Sequence, residues 1–325
     1  MFKYYGNKNG MVAAIRAAAP SQYDEYLELC AGIATVARKV VNHSVPRVIV
    51  EKDHGQATLL QQVQKNPIEV AVRLQELGYS RDVFENALDM KKRNYNGCSE
   101  IETAVYRKIL TDQSYNASCI SYRDIDKGSE DDIALLISAN RYRERYQRQI
   151  LPDCYSFSKE LQGAEIIEGD MFDYIDNLNN PNLFCAIDPP YQPTKRSAGQ
   201  KGYDQDWSEG THQKLMEFLY KQYLAGELKA KIMIFCYVNL EDMQSDIYCR
   251  YLMRMGFSLY LLKDVYLPQV YSKKIKEKIS NREKKSSKNK AVECIFINYE
   301  PVGKGIVVPE RVFTYEDVFG SENAG

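Results

Sequence analysis

Seven short apolar runs recur along the chain with helical patterns between most of them, and this alternation limits the possible fold more than any other feature. The runs occupy residues 26–29, 47–50, 165–167, 183–187, 231–235, 259–266 and 292–298. Most are continuously apolar, as strands buried on both faces are. Helical patterns at 9–19, 34–41, 170–178, 211–224 and 240–255 separate them. The alternation predicts an α/β fold with a doubly wound parallel sheet.

Two stretches break the rhythm. Residues 54–160 read as helical and polar, with no convincing core strand, and are punctuated by Pro67 and by Asn94-Tyr95-Asn96-Gly97. They are expected to form a helical insertion between the second and third strands. The sheet domain then comprises residues 1–53 and 161–325. The second exception, 272–290, holds nine Lys and Arg residues against only Glu277 and Glu283. It reads either as a solvated loop or as a loop that contacts phosphates.

Composition narrows the partners. Formal net charge is −1, so nucleic-acid binding would have to come from local patches such as 272–290. There are 25 Tyr against 11 Phe and 1 Trp, a bias that suits a surface handling bases or sugars. The eight cysteines include no CxxC pair and only three histidines accompany them, which argues against structural zinc. Cys185, Cys236 and Cys294 lie within apolar runs and read as buried thiols of a reducing compartment. Met1-Phe2-Lys3-Tyr4-Tyr5 begins no leader-like apolar stretch, and the apolar runs are too short to span a bilayer. A cytoplasmic protein with no membrane contact is expected.

The strand ends carry the chemistry. The first strand ends in Cys30-Ala31-Gly32-Ile33-Ala34, where a glycine lets a nucleotide-like ligand approach backbone. The second ends in Glu51-Lys52-Asp53. An acid there, about 20 residues past the glycine turn, is placed to accept hydrogen bonds from a ribose diol. Either Glu51 or Asp53 fits that role. The turn lacks the full GxGxxG that cradles a pyrophosphate, which favours a nucleoside cofactor without phosphates. The fourth strand ends in Asp188-Pro189-Pro190-Tyr191. The two prolines remove two N–H donors, so the turn offers a carboxylate and carbonyls as acceptors beside an aromatic face. Such a set suits a conjugated exocyclic amine: accepting both its hydrogens frees the nitrogen lone pair, while Tyr191 stacks on the ring.

Asp188 to Tyr191 resembles the catalytic motif of amino-group DNA methyltransferases, and the order of the other motifs resembles the Dam-like adenine-N6 group. Lys3-Tyr4-Tyr5-Gly6-Asn7-Lys8 is similar to that group's N-terminal motif over the methionine end of the cofactor. Glu28-Leu29-Cys30-Ala31-Gly32 is similar to its glycine motif, and Glu51 to Asp53 to its ribose-binding acid. Glu168-Gly169-Asp170-Met171-Phe172 is similar to the segment lining the cofactor adenine. Leu110 to Asn116 resembles part of its target-recognition region. Tyr203, Trp207 and His212 fit the pattern after the catalytic motif, and Lys288 to Tyr299 resembles its final strand. The chain departs from the group at Leu29-Cys30, where Pro-Phe is usual, and at Ala34, where a second glycine is usual.

The resemblance implies a Rossmann-like seven-stranded methyltransferase sheet with a helical target-recognition insertion. It implies S-adenosylmethionine as cofactor, held by Tyr4, Lys8, Glu28, Cys30, Ala31, Gly32, Glu51, Asp53, Asp170, Met171 and Asp188. Catalysis would fall to Asp188, Pro189, Pro190 and Tyr191. The substrate would be double-stranded DNA, with the target adenine flipped out of the duplex. Lys8, Gln113, Tyr115, Asn116, Arg141, Arg145, Lys284, Lys285 and Lys288 are the expected DNA contacts; Arg141, Arg145 and Arg148 fall on one helical face. A monomer or weak dimer, with or without a cognate restriction enzyme, is expected. Cytosine-N4 methylation, and a DNA-binding protein of this fold without catalysis, are the alternatives that the residues leave open.

Overall fold

The computed structural model describes residues 2, 4, 6, 8–128, 132–190, 207–239, 242–261, 291–301 and 312–320. Its centre is one mixed sheet. The strands are β1 (Glu25–Leu29), β2 (Arg47–Glu51), β3 (Ala164–Glu168), β4 (Leu183–Ile187), β5 (Lys231–Asn239), β6 (Ser258–Leu261), β7 (Ala291–Ile297) and β8 (Val312–Phe313). They lie in the order β3-β2-β1-β4-β5-β7-β6-β8. β3 to β5 pair in parallel, and β7 enters antiparallel between β5 and β6. All seven expected strands are present. The eighth, β8, pairs only Val312 and Phe313 with β6 at the edge, too short a segment to show any periodicity. Of the expected 259–266 strand, residues 262–266 lie outside the described residues.

Continuous apolar runs are explained by burial on both faces. In β4, Phe184 and Ala186 belong to one core, and Leu183, Cys185 and Ile187 to the other. The first core is covered by α1 (Val12–Ala18), α2 (Thr35–Lys39) and helices of the insertion. The second is covered by α8 (Glu209–Leu224) and α9 (Ile247–Leu252).

The insertion contains α3 (His54–Lys65), α4 (Pro67–Leu77), α5 (Arg81–Lys92), α6 (Glu100–Asp112) and α7 (Ile133–Leu161). Local caps set their starts: Asp53 accepts from Gln56 N–H, and Ser99 with Glu102 forms a capping box. Leu59, Leu60 and Val63 of α3 and Phe157 of α7 share the core that contains Phe184, so the insertion packs on the sheet as well as projecting from it. The return point is fastened by Arg47, whose buried guanidinium donates to the carbonyls of Ala37 (2.9 Å), Glu160 (3.0 Å) and Gln162.

Two expected helices are broken. Residues 170–178 form the single turns Met171–Asp173 and Ile175–Asn179. The Asp170 carboxylate accepts the Phe172 N–H (3.1 Å), a local bond that competes with helix propagation. Of the expected 240–255 helix, residues 240 and 241 lie outside the described residues, and the rest is broken likewise by Asp246, which ends one turn and caps α9 by accepting from Tyr248 and Cys249.

Candidate active site

The strand order reverses between β1 and β4, the place where open α/β sheets bind ligands at their carboxyl ends. Leu29 pairs with Ile187, so Cys30 and Asp188 leave the sheet side by side, and the Asp188 N–H donates to Leu29 O (3.2 Å). The turn after β1 is tight: Cys30, Gly32 and Ala34 have φ of 57°, 57° and 50°. At Gly32 an added Cβ would lie 2.6 Å from the Tyr4 ring. Ala34 adopts a left-handed conformation at the position where the Dam-like group carries glycine, a strain that a non-glycine residue accepts only when its surroundings hold it.

Side chains pin this turn from both sides. Gly32 N–H donates to Glu51 Oε2 (2.7 Å), and Gly32 O accepts from Gln56 Nε2 (2.8 Å). The other Glu51 oxygen accepts Asp53 N–H (2.9 Å). Glu28 accepts from Ala37 N–H (2.7 Å) and the Tyr26 hydroxyl (2.9 Å). Burial pushes both carboxyls up, Glu28 to about 7 and Glu51 to about 7; the nearby Asp53 adds to the rise at Glu51, while the backbone donors oppose it in both.

These groups open onto a cavity of about 620 Å3, within the range of small-molecule sites. All eleven residues expected to hold the cofactor line it: Tyr4, Lys8, Glu28, Cys30, Ala31, Gly32, Glu51, Asp53, Asp170, Met171 and Asp188. Of the catalytic set, Asp188 and Pro190 line it, Pro189 is not among the lining residues, and Tyr191 lies outside the described residues. Lys8 Nζ reaches the two Asp188 oxygens at 2.8 and 2.6 Å, lies 5.2 Å from the Phe235 ring centre and 3.6 Å from Glu293. Asp170 pairs with Lys52 at 2.6 Å; its partial burial would raise its carboxyl, but Lys52 and the Phe172 N–H hold it below the usual range. Trp207 lines the cavity and stacks with Phe172 at 6.0 Å. His212 is fully buried behind Trp207, its Nδ1 2.6 Å from the Tyr248 hydroxyl. Burial lowers its imidazole to about 4, so it is neutral at pH 7 and supports Trp207 from outside the cavity.

Residues 4–267 match the D12 class N6 adenine-specific DNA methyltransferases. The chain belongs to that family. It is also similar to the type II methyltransferase M.MjaIII of Methanocaldococcus jannaschii, 25% identical over 254 residues that cover 71% of this chain and 82% of the relative. Membership of the D12 class makes DNA the substrate and favours adenine N6 over cytosine N4.

In this D12-class methyltransferase the expected DNA contacts are distributed unevenly. Lys8 is inside the cavity. Tyr115, 49% exposed, and Asn116 stand on the loop after α6, which is closed by an antiparallel bridge between Ser114 and Tyr122. Arg141 and Arg145 are exposed on α7. Gln113 is placed differently from expectation: it is fully buried, its Nε2 donating to Gly78 O (2.8 Å) and its carbonyl accepting Arg123 N–H (2.7 Å). It braces the loop and has no side-chain surface open to solvent, because the chain turns inward where α6 ends. Lys284, Lys285, Lys288 and Tyr203 lie outside the described residues.

The cavity also contains groups that the sequence reading missed. Ala117, Ser118, Cys119 and Ile120 bring the loop after α6 to its rim, and Phe235 closes it from β5. The loop residues follow directly on the Leu110 to Asn116 motif, and Phe235 is the last residue of the expected 231–235 strand; those were the available signals. Arg107 enters from α6, 3.6 Å from Asp53 and 3.2 Å from Gln56 Oε1. Nothing in its helical neighbours marks it, since the contact exists only once α6 packs on α3. No helix among the described residues is long and apolar enough to cross a membrane.

Proposed function

We propose that this D12-class enzyme transfers a methyl group from S-adenosylmethionine to N6 of an adenine flipped out of double-stranded DNA into the cavity at Asp188. The observation that carries this reading is the convergence of the glycine turn, the Glu51 strand end and the Asp188 turn on one cavity. Gly32 lines it where an added Cβ would press on the Tyr4 ring, and two buried carboxylates open onto it, so the residues present fit a compact cationic nucleoside. When bound, S-adenosylmethionine supplies a methyl group made electrophilic by its sulfonium.

The remaining chemistry belongs to the chain. Asp188 and the Pro189 carbonyl accept the two N6 hydrogens, drawing the amine toward sp3 and freeing its lone pair. The Lys8 ammonium pairs with Asp188 and orients its carboxylate as an acceptor. Glu51 is the better ribose acid of the two: it ends β2, is held by two main-chain donors and keeps lone pairs for hydroxyls. Asp53 is engaged as the cap of α3 and by Arg107. Asp170 and Met171 border the cofactor adenine, and Tyr191 stacks on the target base. Tyr115, Asn116, Arg141, Arg145, Lys284, Lys285 and Lys288 meet the duplex and help to offset the few kcal/mol that flipping costs. The helical stretch 54–160 serves target recognition. A cytoplasmic site and a cognate restriction partner are part of the same reading, in keeping with a type II relative.

Methylation-sensitive sequencing of DNA from cells expressing the protein tests it. N6-methyladenine at one recurring sequence is expected. Its absence, or N4-methylcytosine in its place, overturns the reading.

A further inference from the structure

Among the described residues, the cavity is lined by five acids and three cations, and each cation faces an aspartate: Lys8 with Asp188 (2.6 Å), Lys52 with Asp170 (2.6 Å) and Arg107 with Asp53 (3.6 Å). Glu28 and Glu51 are the two lining carboxylates left over; among the described residues neither forms an ion pair. Both are more than nine-tenths buried, with exposures of 4% and 7%. Their acceptor needs are met by neutral donors alone: Ala37 N–H and Tyr26 for Glu28, Gly32 and Asp53 N–H for Glu51.

Donor and product of the reaction differ by one charge. A sulfonium sulfur bonded to three carbons is cationic; as the N6 lone pair takes the methyl group, the S–CH3 bonding pair stays on a now neutral thioether, and N6 gives up one hydrogen as a proton to the Asp188 carboxylate and on to solvent. The ribose, base, ammonium and carboxylate are common to both. Because the methyl group goes to an amine held at Asp188, the sulfur must lie near that strand end. Glu28 pairs in register with Ala186, two residues before Asp188 on the adjoining strand. Glu51 ends β2, on the far side of β1 from Asp188.

We propose that Glu28 selects for charge: its carboxylate, beside the strand that delivers Asp188, favours the cationic donor over the neutral product, so that methyl transfer itself loosens the spent cofactor. This rests on the cavity being the S-adenosylmethionine site. The groups that act on Glu28 are Tyr26 on its own strand, Ala37 N–H and Arg38 from α2, Arg47 from β2, Asp188 just past β4, and Cys185, which lies on the other face of the sheet. Arg38 is committed to Glu160 and to Ile33 O, and Arg47 to three carbonyls, so neither neutralises it at contact distance. Burial places its titration near neutrality, so the preference should grow with pH as Glu28 ionises.

The test is calorimetric titration of S-adenosylmethionine and S-adenosylhomocysteine into the wild type, Glu28→Gln and Glu51→Gln, at pH 6 and pH 8. The glutamine oxygen still accepts from Ala37 and Tyr26. The wild type is expected to favour the donor, more so at pH 8. Glu28→Gln should cut that preference roughly tenfold and remove most of its pH dependence, the scale of one partly screened charge pair. Glu51→Gln should weaken both ligands by similar factors, because the ribose is shared. An unchanged donor-to-product ratio in Glu28→Gln, or equal weakening of both ligands, overturns the proposal while leaving the cofactor site standing. A wild type that binds neither ligand overturns both.

Discussion

The cavity at the strand ends and the outer face of the helical insertion are built by opposite means. In the cavity, main chain fixes the functional groups. Gly32 and Asp53 N–H hold Glu51, Ala37 N–H holds Glu28, and Asp188 is tied by its own N–H to Leu29. On the insertion, Arg141 and Arg145 stand exposed on α7, and Tyr115 and Ile120 are 49% and 47% exposed on the loop. A small ligand of fixed shape rewards preorganised groups, each of which matters singly. A polyanion rewards summed charge, each unit of which matters little and is screened by salt. The contrast makes definite claims about what single substitutions do in each region.

The largest effect should come from Asp188→Ala. Cofactor binding and fold should survive, while methyl transfer falls by roughly two to four orders of magnitude, the span for one positioned catalytic group. Near-wild-type turnover in a radiolabelled methyl-transfer assay would sink the mechanism. Next is Gly32→Val. The new side chain meets the Tyr4 ring, and φ of 57° is unfavourable for a β-branched residue. Titrated S-adenosylmethionine should show no binding to the folded variant; wild-type affinity would mean that the cofactor lies elsewhere.

A third prediction turns on pH. Glu28 titrates at about 7 when folded, above its ordinary 4.5. A raised carboxyl favours folding below pH 4.5, and that contribution is lost as pH rises to about 7. Without cofactor at pH 8, Glu28→Gln should therefore unfold at higher urea than the wild type, by about 1 to 3 kcal/mol. A variant less stable than the wild type would show that the carboxylate is compensated after all. The smallest effect belongs to the outer face. Replacing Arg141 and Arg145 by Gln should weaken binding to all duplexes alike and flatten the slope of log affinity against log salt by about 0.9 for each arginine that meets a phosphate. An unchanged slope would return those arginines to a solvated helix face.

The same contrast governed what the sequence could reveal. Strand ends were legible because a continuous apolar run fixes a strand, and parallel order brings successive ends to one edge. That is why residues as far apart as Gly32, Glu51 and Asp188 could be placed at one edge, whereas Asp170 came only through the resemblance of Glu168 to Phe172 to the family's adenine-lining segment. Side-chain direction in irregular segments was not legible. Gln113 has the composition of a DNA contact, yet the end of α6 turns it inward. Arg107 reads as an ordinary helical residue until α6 packs on α3. The left-handed backbone at Cys30 and Ala34 has no signal in residue type, since neither is glycine. The breaks at Asp170 and Asp246 followed from local carboxylate bonds that compete with a helical pattern otherwise present.

The position of β7 bears on how the chain is made. β7 lies inside the sheet, between β5 and β6, yet it follows both of them in the chain. A nascent chain emerging from the ribosome can pair β1 to β5 as each appears, but β6 has no neighbour to join until β7 follows. Through that interval β5 and β6 present open edges, the kind of surface on which unfinished chains stick to one another. Prematurely terminated products ending before residue 291 should therefore be insoluble, however sound their first half. Glu293 arrives with β7, so Lys8 gains its second carboxylate only after the strands from β1 to β6 have been made.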